Sequence, residues 1–325
     1  MIEVRNLTKT FPGIVALDDI SFDVGKGEIV GFLGPNGAGK STTMRILTCF
    51  IPPTTGACRV AGYDVIRGSM DVRRRVGYLP ESNPLYTEMR VLEYLDFRAS
   101  IKAVPRRERR KKVEEAMDRC GLRERRLQIV GTLSKGYRQR VGLADAIVHN
   151  PEVLILDEPT IGLDPTQVRE VRELIKQLGQ ERTVLLSTHI LSEVEKMCRR
   201  IVIINRGKIV AEGTPEEVST RLMKTGRLRL EIRGDGRAMK DTLENVPGVA
   251  RILWSAKGDV NTYIVESEDG VDIRGTVFKC CAAQSWDVLE FGPEQLSLED
   301  VFAIVTQVDR APEPQPAVKE EAKNG

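Results

Sequence analysis

The sequence predicts an α/β fold built on a parallel central sheet, followed by a smaller α+β module, and three observations carry that reading. Gly34-Pro35-Asn36-Gly37-Ala38-Gly39-Lys40-Ser41-Thr42 is a complete G-x-x-x-x-G-K-[ST] motif. It lies between the buried-strand pattern of residues 28–33 and a run, Met44, Ile46 and Leu47, with helical spacing. Second, Val153-Leu154-Ile155-Leu156 is an unbroken apolar run that ends in Asp157-Glu158, as expected of a parallel strand covered on both faces. Third, the pattern resets after Thr225-Gly226 into a βαββαβ order, the split ferredoxin-like arrangement.

A strand, a glycine loop and a helix in that order aim backbone N–H groups and the positive end of a helix at a bound polyphosphate. The glycines let the chain wrap closely, Lys40 reaches the β- and γ-phosphates, and the Ser41 hydroxyl is placed to hold Mg²⁺. A nucleotide polyphosphate and Mg²⁺ are therefore the expected ligands of this loop.

The chain has 325 residues, enough for two ordinary domains. Its 49 basic and 47 acidic residues nearly cancel, which gives no general case for nucleic-acid binding. No apolar stretch reaches the length of a membrane span, and the start Met1-Ile2-Glu3-Val4-Arg5 lacks a signal-peptide pattern, so a membrane role is expected to come through a partner. The six cysteines show neither C-x-x-C pairs nor a histidine partner pattern, which favours reduced structural thiols in a cytosolic protein.

From the N-terminus, Ile2, Val4, Leu17, Ile20, Phe22 and Val24 alternate around Pro12-Gly13, predicting short strands joined by a turn. Phe11, just before the turn, is a candidate to stack on an adenine face. After the phosphate loop and its helix, Pro52-Pro53-Thr54-Thr55-Gly56 breaks the chain before a strand at Cys58-Val60 and a turn at residues 62–64. A further strand at Val76-Gly77-Tyr78-Leu79 leads to Pro80-Glu81, and a charged helical region covers residues 91–130. Within it residues 106–112 hold six basic side chains and one acidic one, a candidate for anionic lipid or a partner loop. The competing reading is the solvated face of a helix, because Val113, Ala116, Met117 and Cys120 fall at helical spacing behind it.

Ser134 and Gly136 stand at the start of the next helix, a second anion site in waiting. At the carboxyl end of the strand after it, Asp157 is placed to hold Mg²⁺ and Glu158 to orient and polarise water. A turn through Ile161-Gly162-Leu163-Asp164-Pro165 opens a helix at residues 167–178. The strand Thr183-Val184-Leu185-Leu186-Ser187 then ends in Thr188-His189, which brings His189 to the same sheet edge and marks it as catalytic. Two strands flank the hairpin turn Asn205-Arg206-Gly207, and Thr214-Pro215-Glu216-Glu217 is a capped helix start. In the C-terminal module strands are expected at residues 228–232, 250–254, 263–265 and 286–291. Helices are expected at 238–246 and 273–283, with a last one from Ser297 to about Val305. Beyond about residue 309 the Pro, Lys and Glu-rich tail has nothing to bury and is expected to be disordered.

Together these residues, over roughly 1–218, resemble the ATP-binding subunit of ABC transporters. Leu133-Ser134-Lys135-Gly136-Tyr137 looks like that family's L-S-G-G-Q signature, with Lys135 and Tyr137 in place of a glycine and a glutamine. The resemblance implies that two subunits pair head to tail, so that ATP on one phosphate loop is completed by Ser134 and Gly136 of the other. It makes Phe11 the adenine-stacking aromatic, residues 34–42 the Walker A loop and residues 153–157 the Walker B strand. It also makes Glu158 the catalytic glutamate, residues 162–164 with Asp164 the D-loop, and His189 the switch histidine. Glu81 stands where the family usually has glutamine, and the position implies contact with the nucleotide and Mg²⁺. The appended module and the Gly-Tyr-Leu-Pro-Glu context look like the exporter branch serving drug, polysaccharide and gliding-motility systems.

The resulting expectation is an ABC-type ATPase with antiparallel β and helical subdomains at residues 1–225. A ferredoxin-like accessory domain would occupy 226–308, and the tail 309–325. By resemblance it is the ATP-hydrolysing motor of a membrane exporter, peripheral on the inner face of the cell membrane through a transmembrane permease and paired with a second ATP-binding subunit, with no nucleic-acid partner. The alternative is a soluble ABC ATPase acting on nucleic acid or ribosomes, which usually fuses two ATPase units or carries a long coiled-coil insertion. A nucleotide sensor without turnover is disfavoured by the joint presence of Lys40, Asp157, Glu158 and His189.

Overall fold

A computed structural model describes residues 1–222, 227–268, 271–293 and 302. The chain divides into two compact units, Met1–Glu212 with Phe302 onward and Gly213–Val301. The division falls thirteen residues ahead of the pattern reset read at 225/226, so the helix that opens at Pro215 belongs to the second unit. Apart from Phe302, the expected last helix at residues 297–305 and the tail lie outside the described residues.

In the first unit, β1 (Ile2–Phe11) and β2 (Ile14–Val24) form a long antiparallel pair. They lead into β3 (Ile29–Leu33), α1 (Lys40–Leu47), β4 (Thr55–Val60) and β5 (Tyr63–Asp64). Next come α2 (Ser69–Arg75), β6 (Val76–Leu79), α3 (Val91–Ile101), α4 (Arg106–Arg119) and α5 (Lys135–Ile147). The unit is completed by β7 (Val153–Asp157), α6 (Pro165–Gly179), β8 (Thr183–Thr188), α7 (Leu191–Met197), β9 (Arg200–Asn205) and β10 (Lys208–Gly213). The helices α2 and α7 have no counterpart among the sequence-based expectations. Both have seven residues, about two turns, too short for a periodicity to repeat.

Two sheets result: a four-stranded one in the order β2-β1-β4-β5, and a six-stranded one in the order β10-β9-β3-β8-β7-β6. From β9 to β6 every neighbouring pair is parallel. Strands buried on both faces must be apolar throughout, and all five residues of β7 are buried. The edge strand β10 returns from β9 through Arg206 and Gly207, both at positive φ (47° and 77°), the signature of a type I′ hairpin. The core between the sheets packs Leu7, Leu17, Phe22, Phe32, Met44, Leu47, Ile155 and Val202, with the Phe22 and Phe32 rings 5.2 Å apart. In the helical region Asp145 of α5 is gripped by Arg98 of α3 (3.0 Å) and by Lys102, the residue just past its end (2.9 Å).

The basic run of α4 faces solvent. Arg107, Arg110 and Lys111 are exposed, Arg110 and Lys111 pair with Glu114 and Glu115 one turn on, and the helix buries Val113, Ala116 and Met117.

The second unit opens with α8 (Pro215–Leu222). Its capping box is formed in both directions, by Thr214 N to Glu217 Oε2 (2.9 Å) and Glu217 N to Thr214 Oγ1 (3.1 Å). Beyond it come β11 (Arg227–Arg233), α9 (Gly236–Glu244), β12 (Val249–Lys257), β13 (Val260–Ser267), α10 (Arg274–Ala283) and β14 (Asp287–Pro293). The sheet order β12-β13-β11-β14, all antiparallel, is the order of a split βαββαβ. Leu228, Leu230 and Ile232 of β11 share one core with Met239 and Leu243 of α9 and with Val277 and Cys281 of α10, so both helices cover the same face.

Candidate active site

Strand order assembles the site. β3, β8 and β7 are adjacent and parallel, with Leu33 level with Thr188 and Ser187 level with Asp157. The segments that leave these three strands therefore emerge at one edge, and they carry the phosphate loop, His189 and Glu158. β6 lies beside β7 and delivers Glu81 to the same edge. A cavity of about 530 Å³ opens there. It is lined by Asn36, Gly37, Gly39, Lys40, Ser41 and Thr42 of the loop, by Glu81, Glu158 and His189, and on the far side by Ile14, Val15, Ala16, Arg206 and Gly207.

The loop is stretched around the position a phosphate would take. Gly39 sits at φ 114° at the mouth of α1, where a Cβ would also lie 2.8 Å from the Ala16 carbonyl, so only glycine serves. Lys40 is almost fully buried, and its ammonium donates to the carbonyls of Gly34 (2.8 Å) and Pro35 (3.3 Å). Gly34, Pro35 and Ala38 thus stand behind the cavity wall as support.

Glu158 is the centre of the charge pattern. Its carboxylate is 4% exposed, with Lys40 Nζ 3.4 Å from Oε1 and His189 Nδ1 donating to Oε2 at 2.9 Å. The Lys40 contact is an ion pair without a well-formed hydrogen bond, which leaves Oε1 with accepting capacity. Glu158 itself lies at φ 49°, an unusual conformation for a residue with a Cβ and of the kind that clusters at functional sites. It is fastened on its N-terminal side by its amide donating to Ser187 Oγ (3.0 Å) and the Ser187 carbonyl (3.2 Å). Ser187 also donates to Asp157 Oδ1 (2.5 Å), which fixes that buried carboxylate behind the cavity. Burial, and next the Asp157 charge, push the neighbouring Tyr78 phenol up to about 12.

The remaining expected residues are placed apart from this cavity. Ser134 and Gly136 begin α5, with Ser134 Oγ accepting from the Tyr137 amide (3.4 Å). Asp164 caps α6 by accepting from the amides of Thr166 (3.0 Å) and Gln167 (2.9 Å). Neither group lines the chain's own cavity. Phe11 is not brought into it either: it lies exposed at the end of β1 with the Lys9 ammonium 4.9 Å over its ring, and the cavity wall after the turn is made by Ile14 and Val15. Ser187, Ile14, Val15 and Arg206 are additions that the sequence patterns do not single out. For Ser187 a signal exists, a hydroxyl that ends the apolar run Val184-Leu185-Leu186 just ahead of Thr188-His189.

Among the described residues no three His, Cys, Asp or Glu side chains converge on one point. The donors at the sheet edge are instead a hydroxyl, Ser41, with the Asp157 and Glu81 carboxylates, hard oxygen groups that suit Mg²⁺ when phosphate oxygens and water complete its shell.

Comparison with known proteins agrees with this geometry. The family described as ABC transporter matches residues 17–161. The chain is 32% identical over 310 residues to the bacitracin transport ATP-binding protein BcrA of Bacillus licheniformis, spanning 93% of this chain and 96% of that one. It is 34% identical over 235 residues to the linearmycin resistance ATP-binding protein LnrL of Bacillus subtilis, covering 72% and 76% of the two chains. Among solved structures, an ATP-binding subunit of an ABC transporter superposes with a TM-score of 0.62 at 32% identity, over 68% of this chain and 92% of that one. A dimeric ATP-binding cassette in a post-hydrolysis state with ADP and Pi superposes with a TM-score of 0.61 at 28% identity, over 66% and 98%. With a phosphate loop, a buried glutamate and a strand-end histidine on one edge of a parallel sheet, and relatives matching along most of its length, this chain belongs to the ATP-binding subunits of the ABC transporter family and is an ATPase.

Proposed function

We propose that the chain is the motor subunit of a membrane exporter, binding and hydrolysing ATP in a head-to-tail pair and driving a separate transmembrane permease. The observation that carries the catalytic part is the Glu158 carboxylate, held between Lys40 and His189 on the wall of the phosphate-loop cavity. Lys40 and the loop amides bind the β- and γ-phosphates. Glu158 Oε1, which has no hydrogen-bond partner of its own, accepts a hydrogen bond from the attacking water, while His189 holds the other oxygen and keeps the carboxylate from rotating. Ser41, Asp157 and Glu81 would hold Mg²⁺, which supplies charge neutralisation on the phosphate oxygens when bound. Catalysis by such a site is positioning and electrostatics.

The exporter reading is supported by relatives named for bacitracin transport and linearmycin resistance, and pairing by the dimeric cassettes the fold resembles. Ser134, Gly136 and Asp164 lie outside the chain's own cavity, which suits service to a partner's nucleotide. No helix among the described residues is long and apolar enough to cross a membrane, so attachment is assigned to the permease. The alternative, an ATPase acting on nucleic acid or ribosomes, has no comparable support.

Glu158→Gln tests the assignment. It should keep ATP affinity while slowing hydrolysis by about 10²–10⁴-fold, the range for loss of a positioned base, and the ATP-bound pair should accumulate on sizing in ATP and Mg²⁺. Turnover near the wild-type rate would refute the role of Glu158.

A further inference from the structure

The catalytic carboxylate sits on a backbone that leaves β7 abruptly, and a carboxylate is only as well placed as that backbone. On the N-terminal side the fastening is complete, through the two bonds from the Glu158 amide to Ser187. On the C-terminal side the next residue is Pro159, which has no N–H, so that peptide can be held only through carbonyls. The Glu158 carbonyl is taken by the Ile161 amide (3.2 Å) within the turn itself. The Pro159 carbonyl is taken from outside, by the side-chain amide of Gln139 at 2.8 Å.

Gln139 is suited to that task and to little else. It is 7% exposed, lies in the second turn of α5, and is absent from the cavity wall. A carbonyl can only accept, so the NH₂ group of Gln139 must face Pro159. The surrounding contacts keep α5 and this turn in register. A Cβ on Gly136 would lie 2.5 Å from Gln167 Oε1 of α6, and one on Gly162 would lie 2.0 Å from the Lys135 ammonium. The start of α5 is thus pressed against the turn and against α6 at two points, with the Gln139 bond as the buried polar link between them.

We infer that Gln139 is a positioning residue for ATP hydrolysis: by holding the Pro159 carbonyl it fixes where the Glu158 carboxylate points. The inference rests on the reading of Glu158 as the residue that orients water. Removing the bond loosens the hold on the turn beyond Glu158 while the bonds to Ser187 remain, so Glu158 stays near the cavity but loses its aim. A displacement of about 1 Å in a reacting group costs up to about 100-fold in rate, and the expected loss is roughly 10- to 100-fold in kcat.

The test compares Gln139→Glu, Gln139→Met and Glu158→Gln in the full-length protein. Gln139→Met should lower kcat by that factor with KM for ATP and nucleotide affinity within about twofold of wild type. Gln139→Glu keeps the shape but loses the donor while ionised, and a buried carboxyl regains one when protonated. The ratio of its kcat to that of wild type should therefore rise as pH falls from 8 to 6. Contributions common to both proteins cancel from the ratio. A space-filling role would give a pH-independent ratio. Wild-type kcat in Gln139→Met, or a rise in KM with kcat unchanged, would overturn the inference, and a Gln139→Glu variant that fails to fold leaves this first arm decisive. If Glu158→Gln is inactive while both Gln139 variants are normal, only the inference fails; if Glu158→Gln turns over normally, the reading of Glu158 fails first.

Discussion

His149, just beyond the end of α5, shows how one residue can carry a pH dependence. Its Nε2–H donates to the Val76 carbonyl at 3.1 Å, and its Nδ1 is buried with no partner. A second proton would have to go on Nδ1, where no acceptor waits. Burial, and next the positive charge of Lys102, hold the ring's pKa down to about 4, with Asp145 and Arg98 close enough to act in opposite senses. Linkage sets the sign. The unfolded chain takes up a proton near pH 6.5 and the folded one only near 4, so between those values the unfolded state binds more protons and stability falls as pH falls. With about 1.4 kcal/mol per pKa unit the loss across the window is of order 2–3 kcal/mol. Chemical denaturation at pH 7, 6, 5 and 4.5 should show that slope in wild type. It should be much shallower in His149→Gln, which can still donate to Val76 but takes up no proton. Equal slopes would mean that other groups govern the acid limb.

At the scale of elements, α5 joins two jobs, since its N-terminus offers Ser134 outward while its second turn holds the backbone after Glu158. Ser134→Arg separates those jobs. The lost cap should cost about 1 kcal/mol of stability, visible as a small drop in melting temperature. Nucleotide affinity of the single chain should stay unchanged, because Ser134 does not line its own cavity, while hydrolysis should fall to background if this serine completes a partner's site. Loss of affinity in the single chain would place Ser134 in its own pocket instead. This element also marks what the sequence could disclose. Ser134 as a cap, the all-apolar β7 and the G-x-x-x-x-G-K-[ST] loop are local patterns, and each is legible from a few consecutive residues. The sheet order that sets β3, β8 and β7 side by side explains why Glu158 and His189 meet at 2.9 Å, and from sequence only the shared sheet edge points to it. Gln139 meeting Pro159 and Ser187 meeting Asp157 are long-range contacts between polar groups with no periodicity to announce them. Phe11 has a place before a turn that suits a stacking aromatic, yet the register of β1 against β2 leaves the cavity wall to Ile14 and Val15.

For the whole molecule, the two units carry separate hydrophobic cores. One draws its members from residues 2–204, the other from residues 228–281. A domain with its own core and capped helices is expected to unfold as its own cooperative unit. The nucleotide cavity belongs entirely to the first unit. ATP with Mg²⁺, binding the native first unit and not its unfolded form, should therefore raise only that unit's transition, by about 2.7 kcal/mol at a ligand concentration one hundred times Kd. The second unit's transition should stay in place. Calorimetry of the full chain with and without nucleotide, using the slow Glu158→Gln variant to keep ATP intact, distinguishes the cases. Two transitions with one ligand-responsive support separate units, and a single transition that moves as a whole would show that the two cores unfold together. A fragment ending at Glu212 should then bind nucleotide with full-length affinity. If the fragment fails to fold while one that runs on to Thr225 does fold, α8 belongs with the ATPase unit and the boundary lies near the pattern reset.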